Sequence, residues 1–344
     1  MYYKRIRHPS RRYLGNKYKL LDFIESTIRK VASDTHTLLD VFAGTGVVAH
    51  HFMDKMQVIT NDILYSNYLV HVAFMSTEDY NSGFVENLIK EYNKLSTTSL
   101  AENYMSESFG NTFFCYEDCK KIGYIRDDIQ EKYTTGQLNR REMAILVTSL
   151  LYSMDRIANT CGHYDAYRRN APYTKNFKML PLNLSKKPRY DTILLNGDSN
   201  KLAIEGKLPY VDCVYCDPPY NSREYCDLYH VLENVACWKK PAVIGITRKM
   251  DRSSLKSQYC SKSASSALEE LINALNCKYI ILSYNNTGNR ANATSNARIS
   301  DEEIMRILSK QGAVQIFAQN HKMFSAGKSY NTTNEERLFV CKIK

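Results

Sequence analysis

Nowhere does the sequence contain an apolar run long enough to cross a bilayer, and its first residues lack the apolar core of a secretory signal. The N-terminus is instead basic, with Arg5, Arg7, Arg11, Arg12, Lys17 and Lys19. A cytoplasmic protein with no membrane partner is the expectation. The ten cysteines show no disulfide-scaffold rhythm, which suits a reducing compartment. Two close pairs, Cys115 with Cys119 and Cys213 with Cys216, lack the second pair or the histidines of a structural zinc site. The second pair lies in an apolar run over residues 211–216, where alternate strand residues face opposite sides. These are read as core or loop cysteines, with no metal. There is one tryptophan, Trp238, which suits a core position. Internal repeats are absent, and so is the three-glycine dinucleotide fingerprint.

What is present suits a globular chain of 344 residues, one large domain or two unequal ones, with 44% hydrophobic residues. The formal charge of +10 is compatible with a polyanionic partner without requiring one. Leu20, Leu21, Ile24 and Ile28 have helical spacing, so residues 19–31 are predicted to be helical. Residues 37–42 form an apolar run that enters a glycine turn, followed by a helix over 47–53 and a strand over 57–60 ending at Asn61 and Asp62. That order opens an α/β sheet. The alternation stops from about residue 80 to 188, a polar, tyrosine-rich, mainly helical stretch, and resumes with strands at 192–198, 211–216, 278–284, 313–319 and 337–342. The expected architecture is an α/β domain over 1–79 and 189–344, with a mainly helical inserted module over 80–188.

Two motifs carry chemistry. In Phe42-Ala43-Gly44-Thr45-Gly46 the glycines allow a ligand to approach the backbone, and Asp62, closing the next strand, suits ribose hydroxyls. In Asp217-Pro218-Pro219-Tyr220 two prolines end a strand, since neither donates to a ladder. A carboxylate and a free carbonyl there can accept both hydrogens of an aromatic amino group. This localises the nitrogen lone pair and stabilises charge developing on it. Tyr220 could stack on a base taken out of a duplex. Four isolated residues could equally be an Asp-capped proline turn, but their place after a strand, behind the glycine turn and Asp62, favours a reactive site.

In these motifs the chain resembles the Dam-type adenine-specific DNA methyltransferases, including those of restriction–modification systems. The resemblance spans nearly the whole chain in the family's motif order. Tyr13-Leu14-Gly15-Asn16-Lys17 is similar to the family's N-terminal cofactor motif, Phe42-Ala43-Gly44-Thr45-Gly46 to its methionine-binding turn and Asp62 to its ribose acid, with Asp40 and Ile63 as further implied cofactor contacts. Asp198 with Ser199 resembles its acidic position near the cofactor's adenine, and Asp217 to Tyr220 its catalytic motif. The resemblance implies a Rossmann-like, S-adenosylmethionine-dependent fold in which residues 80–188 recognise the DNA target. It also implies that Asp217, Pro218, Pro219 and Tyr220 act on a flipped-out adenine, with Arg168, Arg169, Asn221, Arg223, Tyr225 and Asn285 as DNA contacts. Residues 154–168 are similar to the family's recognition stretch but longer and altered. Double-stranded DNA is the expected partner, with a cognate restriction endonuclease or second methylase alongside. The alternatives are adenine in structured RNA, or a non-catalytic DNA-binding specificity subunit of the same fold. Arg248, Lys249, Arg252 and Lys256 form a basic run that would touch phosphates or simply be a solvated face.

Overall fold

In the computed structural model, residues 8, 13–170, 172–173, 176–184, 187–219, 223–285, 299–321 and 334–344 are described. The chain runs α1 (Leu21–Val31), β1 (Thr37–Asp40), α2 (Val47–Phe52), β2 (Gln57–Asp62) and α3 (Tyr65–Met75). Four helices follow, α4 (Ser82–Lys94), α5 (Tyr104–Phe109), α6 (Tyr116–Thr134) and α7 (Arg140–Ile157). Then come β3 (Ile193–Asn196), α8 (Ser199–Ile204), β4 (Val211–Cys216), α9 (Tyr225–Leu228) and α10 (His230–Cys237). The chain closes through α11 (Ala264–Ala274), β5 (Cys277–Asn285), α12 (Asp301–Gln311), β6 (Gly312–His321) and β7 (Asn334–Ile343). Among the described residues no helix is long and apolar enough to span a membrane.

The strands form one sheet in the order β3-β2-β1-β4-β5-β7-β6. From β3 to β5 every pairing is parallel, while β7 lies antiparallel between β5 and β6. The chain builds outward from β1 to β3 on one side, then returns to place β4 on the other. The switch point therefore falls between β1 and β4, where open α/β sheets keep a crevice at the carboxyl ends of their strands. Asp40, paired with Tyr215 in the β1–β4 register, stands at that crevice.

Strand alternation sends side chains into two cores. Leu38, Val58, Cys213, Tyr215 and Ile281 face the layer containing α1, α2, α3, α7 and α10. Leu39, Ile59, Val214, Cys216 and Leu282 face α8, α11 and α12. Cys213 and Cys216 are thus buried on opposite faces, as the strand reading required. Residues of α5, α6 and α7 belong to the first cluster, so the helical stretch is continuous with one face of the sheet.

Polar groups secure this join. The Arg126 side chain of α6 is fully buried and donates from Nε to the Val235 carbonyl at 2.8 Å and from Nη2 to that of Ala236 at 3.1 Å. Its guanidinium also lies 5.4 Å from the centre of the Trp238 ring, whose Nε1 donates to Asp127. Burial pushes Arg126 down to about 10, leaving it charged at neutral pH. Glu233 of α10 accepts hydrogen bonds from the Tyr65 and Ser66 amides, both at 2.8 Å, and so satisfies the first turn of α3. Arg126→Ala, which strips the last carbonyls of α10 of their donors, is expected to cost about 3 kcal/mol in denaturant unfolding. A midpoint equal to that of the wild type would contradict this account.

Candidate active site

The glycine turn is held rigidly after β1. Gly44 and Gly46 have φ of 55° and 76°, in the left-handed region that favours glycine. A Cβ on Gly46 would lie 2.8 Å from His71 Cδ2 and from Met75 Cε, so α3 also requires glycine there. The Gly44 amide donates to Asp62 Oδ2 at 2.8 Å, and His71 Nε2 lies 2.9 Å from the Gly44 carbonyl. Burial pushes His71 down to about 4, so the ring is neutral at ordinary pH, and its Nε2–H must be the donor. Asp62 Oδ1 accepts from the Leu64 amide and Asn67 Nδ2, so this carboxylate braces the turn while also lining the cleft. Burial pushes Asp62 up to about 7 against those hydrogen bonds.

The segment from Tyr13 to Lys17 closes over the turn. The Tyr13 ring stacks on Tyr229 at 4.7 Å and on Tyr225 at 5.3 Å, and its hydroxyl accepts from Asn67. The Leu14 amide donates to the Tyr229 hydroxyl at 2.9 Å, and the Tyr225 hydroxyl donates to the Leu14 carbonyl at 3.1 Å. Gly15, at φ 76°, turns the chain so that Lys17 points inward. The Lys17 ammonium is buried, 2.6 Å from Glu336 Oε1 and 3.1 Å from Asp217 Oδ1. Ser283 Oγ donates to the same Glu336 oxygen at 2.8 Å.

Between these walls lies a cleft with about 970 Å³ of non-protein space, part of it open to solvent. Tyr13, Lys17, Asp40, Asp62, Asp217 and Tyr259 are among its lining residues. Burial pushes the Asp217 carboxyl up to about 6; Lys17 opposes the shift and Glu336 adds to it. Asp40 is raised well above the carboxylate range by burial and by the charges of Asp217 and Asp62. Its Oδ1 is buried with no hydrogen-bond partner among the described residues. Lys17 is the one cation among the described lining residues, against the acids Asp40, Asp62, Asp198, Asp217 and Glu224.

Most residues expected to hold a cofactor meet here. Gly15, Asn16, Phe42, Ala43, Thr45, Ile63, Asp198, Ser199 and Pro219 also border the cleft, and Pro218 is buried behind it. Gly46 fixes the turn without bordering the cleft. Asp198 caps α8 by accepting from the Lys201 amide, and Ser199 Oγ donates to the Val41 carbonyl beneath the turn. Tyr225, expected as a DNA contact, borders the same cleft and braces Tyr13. Arg168, Arg169 and Arg223 are exposed and do not border it. Tyr220 and Asn221 lie outside the described residues, as does the side chain of Asn285 on β5. Sequence reasoning missed Asn67, His71, Tyr229, Tyr259 and Glu336. Of these only Tyr229 had a signal, one helical turn beyond Tyr225.

A sheet with its switch point at a glycine turn, and Asp-Pro-Pro closing the neighbouring strand, is the framework of a Rossmann-like methyltransferase. Residues 13–298 match the family described as D12 class N6 adenine-specific DNA methyltransferase, and the chain belongs to that family. It is similar to modification methylase LlaI of Lactococcus lactis subsp. lactis, 31% identical over 296 residues, covering 80% of this chain and 46% of LlaI. It also resembles the type II methyltransferase M.FokI of Planomicrobium okeanokoites, 29% identical over 89% of this chain and 48% of that protein. The chain thus spans about half the length of these two relatives. Against the type II methyltransferase M.NlaIII of Neisseria lactamica, identity is 29% over 94% of this chain and 95% of the relative.

The site predicts its own titration. Because folding raises the Asp217 pKa, ionising this group costs stability, and that cost accumulates as pH rises from about 4 to about 6. Lys17→Met removes the opposing charge, so the Asp217 midpoint should move above 6 and the loss should extend to higher pH. Carboxyl 13C NMR titration of both proteins measures this; an unchanged midpoint would refute the coupling.

Proposed function

We propose that this chain transfers the methyl group of S-adenosylmethionine to N6 of adenine in double-stranded DNA, as the modification activity of a restriction–modification system. The observation that carries the reading is the half-buried Asp217 carboxylate, held by Lys17 beside the glycine turn at the sheet's switch point. The acid-rich cleft fits a cofactor whose reactive centre is a sulfonium. When bound, that cofactor supplies an electrophilic methyl group. Tyr13, Gly15, Asn16, Lys17, Asp40, Phe42, Ala43, Gly44, Thr45, Asp62, Ile63, Asp198, Ser199 and Asp217 are the residues that would hold it, with Gly46 fixing the turn.

The chain's own contribution to the reaction is placement and polarisation. With its pKa near 6, Asp217 is mostly ionised at neutral pH and accepts a hydrogen bond from the adenine amino group. The Pro218 carbonyl accepts the second, which turns the nitrogen lone pair toward the methyl donor. N6 inside a duplex is out of reach, so the adenine must leave the stack, with Pro219 and Tyr220 beside it. Residues 80–188 serve as the target-recognition module, and Arg168, Arg169, Asn221, Arg223 and Asn285 as DNA contacts. Tyr225 supports the cofactor segment and borders the adenine site. The relatives LlaI, M.FokI and M.NlaIII are named as modification methylases or type II methyltransferases, which favours a cognate endonuclease or a second methylase as partner.

Modified-base sequencing of DNA from cells expressing the chain is expected to show N6-methyladenine at one short sequence. Asp217→Ala should lower the methylation rate by roughly a thousandfold. Full methylation by that variant would overturn the reading.

A further inference from the structure

Beyond the cleft, one surface element departs from the pattern of a soluble protein. After α10 the chain forms a tight turn in which Ile244 and Lys249 exchange both backbone hydrogen bonds at 2.9 Å, and the Arg248 amide donates to the Gly245 carbonyl at 3.2 Å. Ile244 and Ile246 project from this turn with 75% and 65% of their surface exposed, the two most exposed large apolar side chains among the described residues. Arg248 adopts φ 52°, a strained conformation for a residue with a Cβ. It is exposed, as is Lys256 further along, and neither has an ion-pair partner among the described residues.

The turn is not a loose loop. The Lys249 ammonium lies 2.6 Å from Asp165 and 3.3 Å from Asp227, and Arg252 Nε lies 2.6 Å from the same Asp227 oxygen. Asp227 belongs to α9, which starts five residues after Tyr220. Asp165 sits within the bridge between Thr160 and Tyr167, immediately before the exposed Arg168 and Arg169. Past the turn, the Ser257 amide donates to Glu224 Oε2 at 3.0 Å, and Leu255 and Ser257 border the cleft. The apolar tip is therefore anchored between the mouth of the candidate active site and the basic loop of residues 160–169.

We propose that residues 244–249 form a wedge that enters duplex DNA beside the target adenine. Ile244 and Ile246 occupy the space that the adenine vacates, and Arg248 and Lys256 hold the flanking phosphates. The inference rests on the DNA reading of the cleft. Exposed isoleucines with basic neighbours match the chemistry of a nucleic acid, whose stacked bases accept apolar side chains inside a polyanionic shell. A second copy of this chain would bring the same positive charges together and is disfavoured on that ground. Lys249, pinned by two carboxylates, holds the turn rather than a phosphate.

The test compares wild type with an Ile244→Ser, Ile246→Ser double variant on two duplexes carrying the sequence mapped by modified-base sequencing. In one the target adenine is paired with thymine; in the other it faces an abasic position, which removes most of the cost of leaving the stack. The double variant should lose about tenfold or more in kcat/KM on the paired duplex and less than about threefold on the abasic one. Its S-adenosylmethionine affinity by calorimetry should be unchanged, which also reports an intact fold. Equal rates on the paired duplex, or an equal loss on both substrates, would overturn the wedge. A wild-type chain that methylates neither duplex would instead sink the DNA reading, and the wedge with it.

Discussion

Buried carboxylates of one sign at a single point of the sheet are the constraint on which this molecule depends. Asp40, Asp62 and Asp217 come from three different strand ends, and each is raised by burial. Left uncompensated, such a cluster would take up protons or open to water. The fold meets the demand unequally. Asp62 is satisfied by the backbone of the turn it braces, Asp217 by Lys17, and Asp40 keeps an unpartnered oxygen. Lys17 is the one cation among the described residues that line the cleft.

Lys17 can serve this purpose only because aromatic packing fixes the chain just before it. Tyr13 packs against Tyr225 and Tyr229 in a three-ring cluster, and both of their hydroxyls bond the Leu14 backbone. Tyr225 opens α9 and Tyr229 is the junction between α9 and α10, after the Asp-Pro-Pro-Tyr motif. The segment of residues 13–17 that walls the cleft and the elements that follow the Asp-Pro-Pro-Tyr motif are thus one packed unit.

Much of this was readable in the residues and some of it was not. The β4 run ending in two prolines, and the glycine turn after β1, declared themselves because backbone chemistry constrains them locally. Asp62 was found by its spacing from the turn, yet its work in bracing Gly44 could not be seen, since any exposed strand-end acid has the same local pattern. Helices α4 to α7 were legible as a mainly helical stretch, whereas their continuity with the core under α3 depends on side-chain packing. Glu336 was illegible for a plainer reason. Its partner Lys17 is 319 positions away, and nothing in an alternating strand marks one acid as inward and paired.

That long-range pair bears on how the molecule is made. β7 threads between β5 and β6, so β6 has no sheet neighbour until β7 exists. Glu336, carried by β7, is also the acid that meets Lys17 at 2.6 Å. The parallel half of the sheet does not need β7, but Lys17 and Asp217 lack their third member until β7 pairs with β5. Pairing of β7 therefore closes the antiparallel edge and brings Glu336 to Lys17 in the same step.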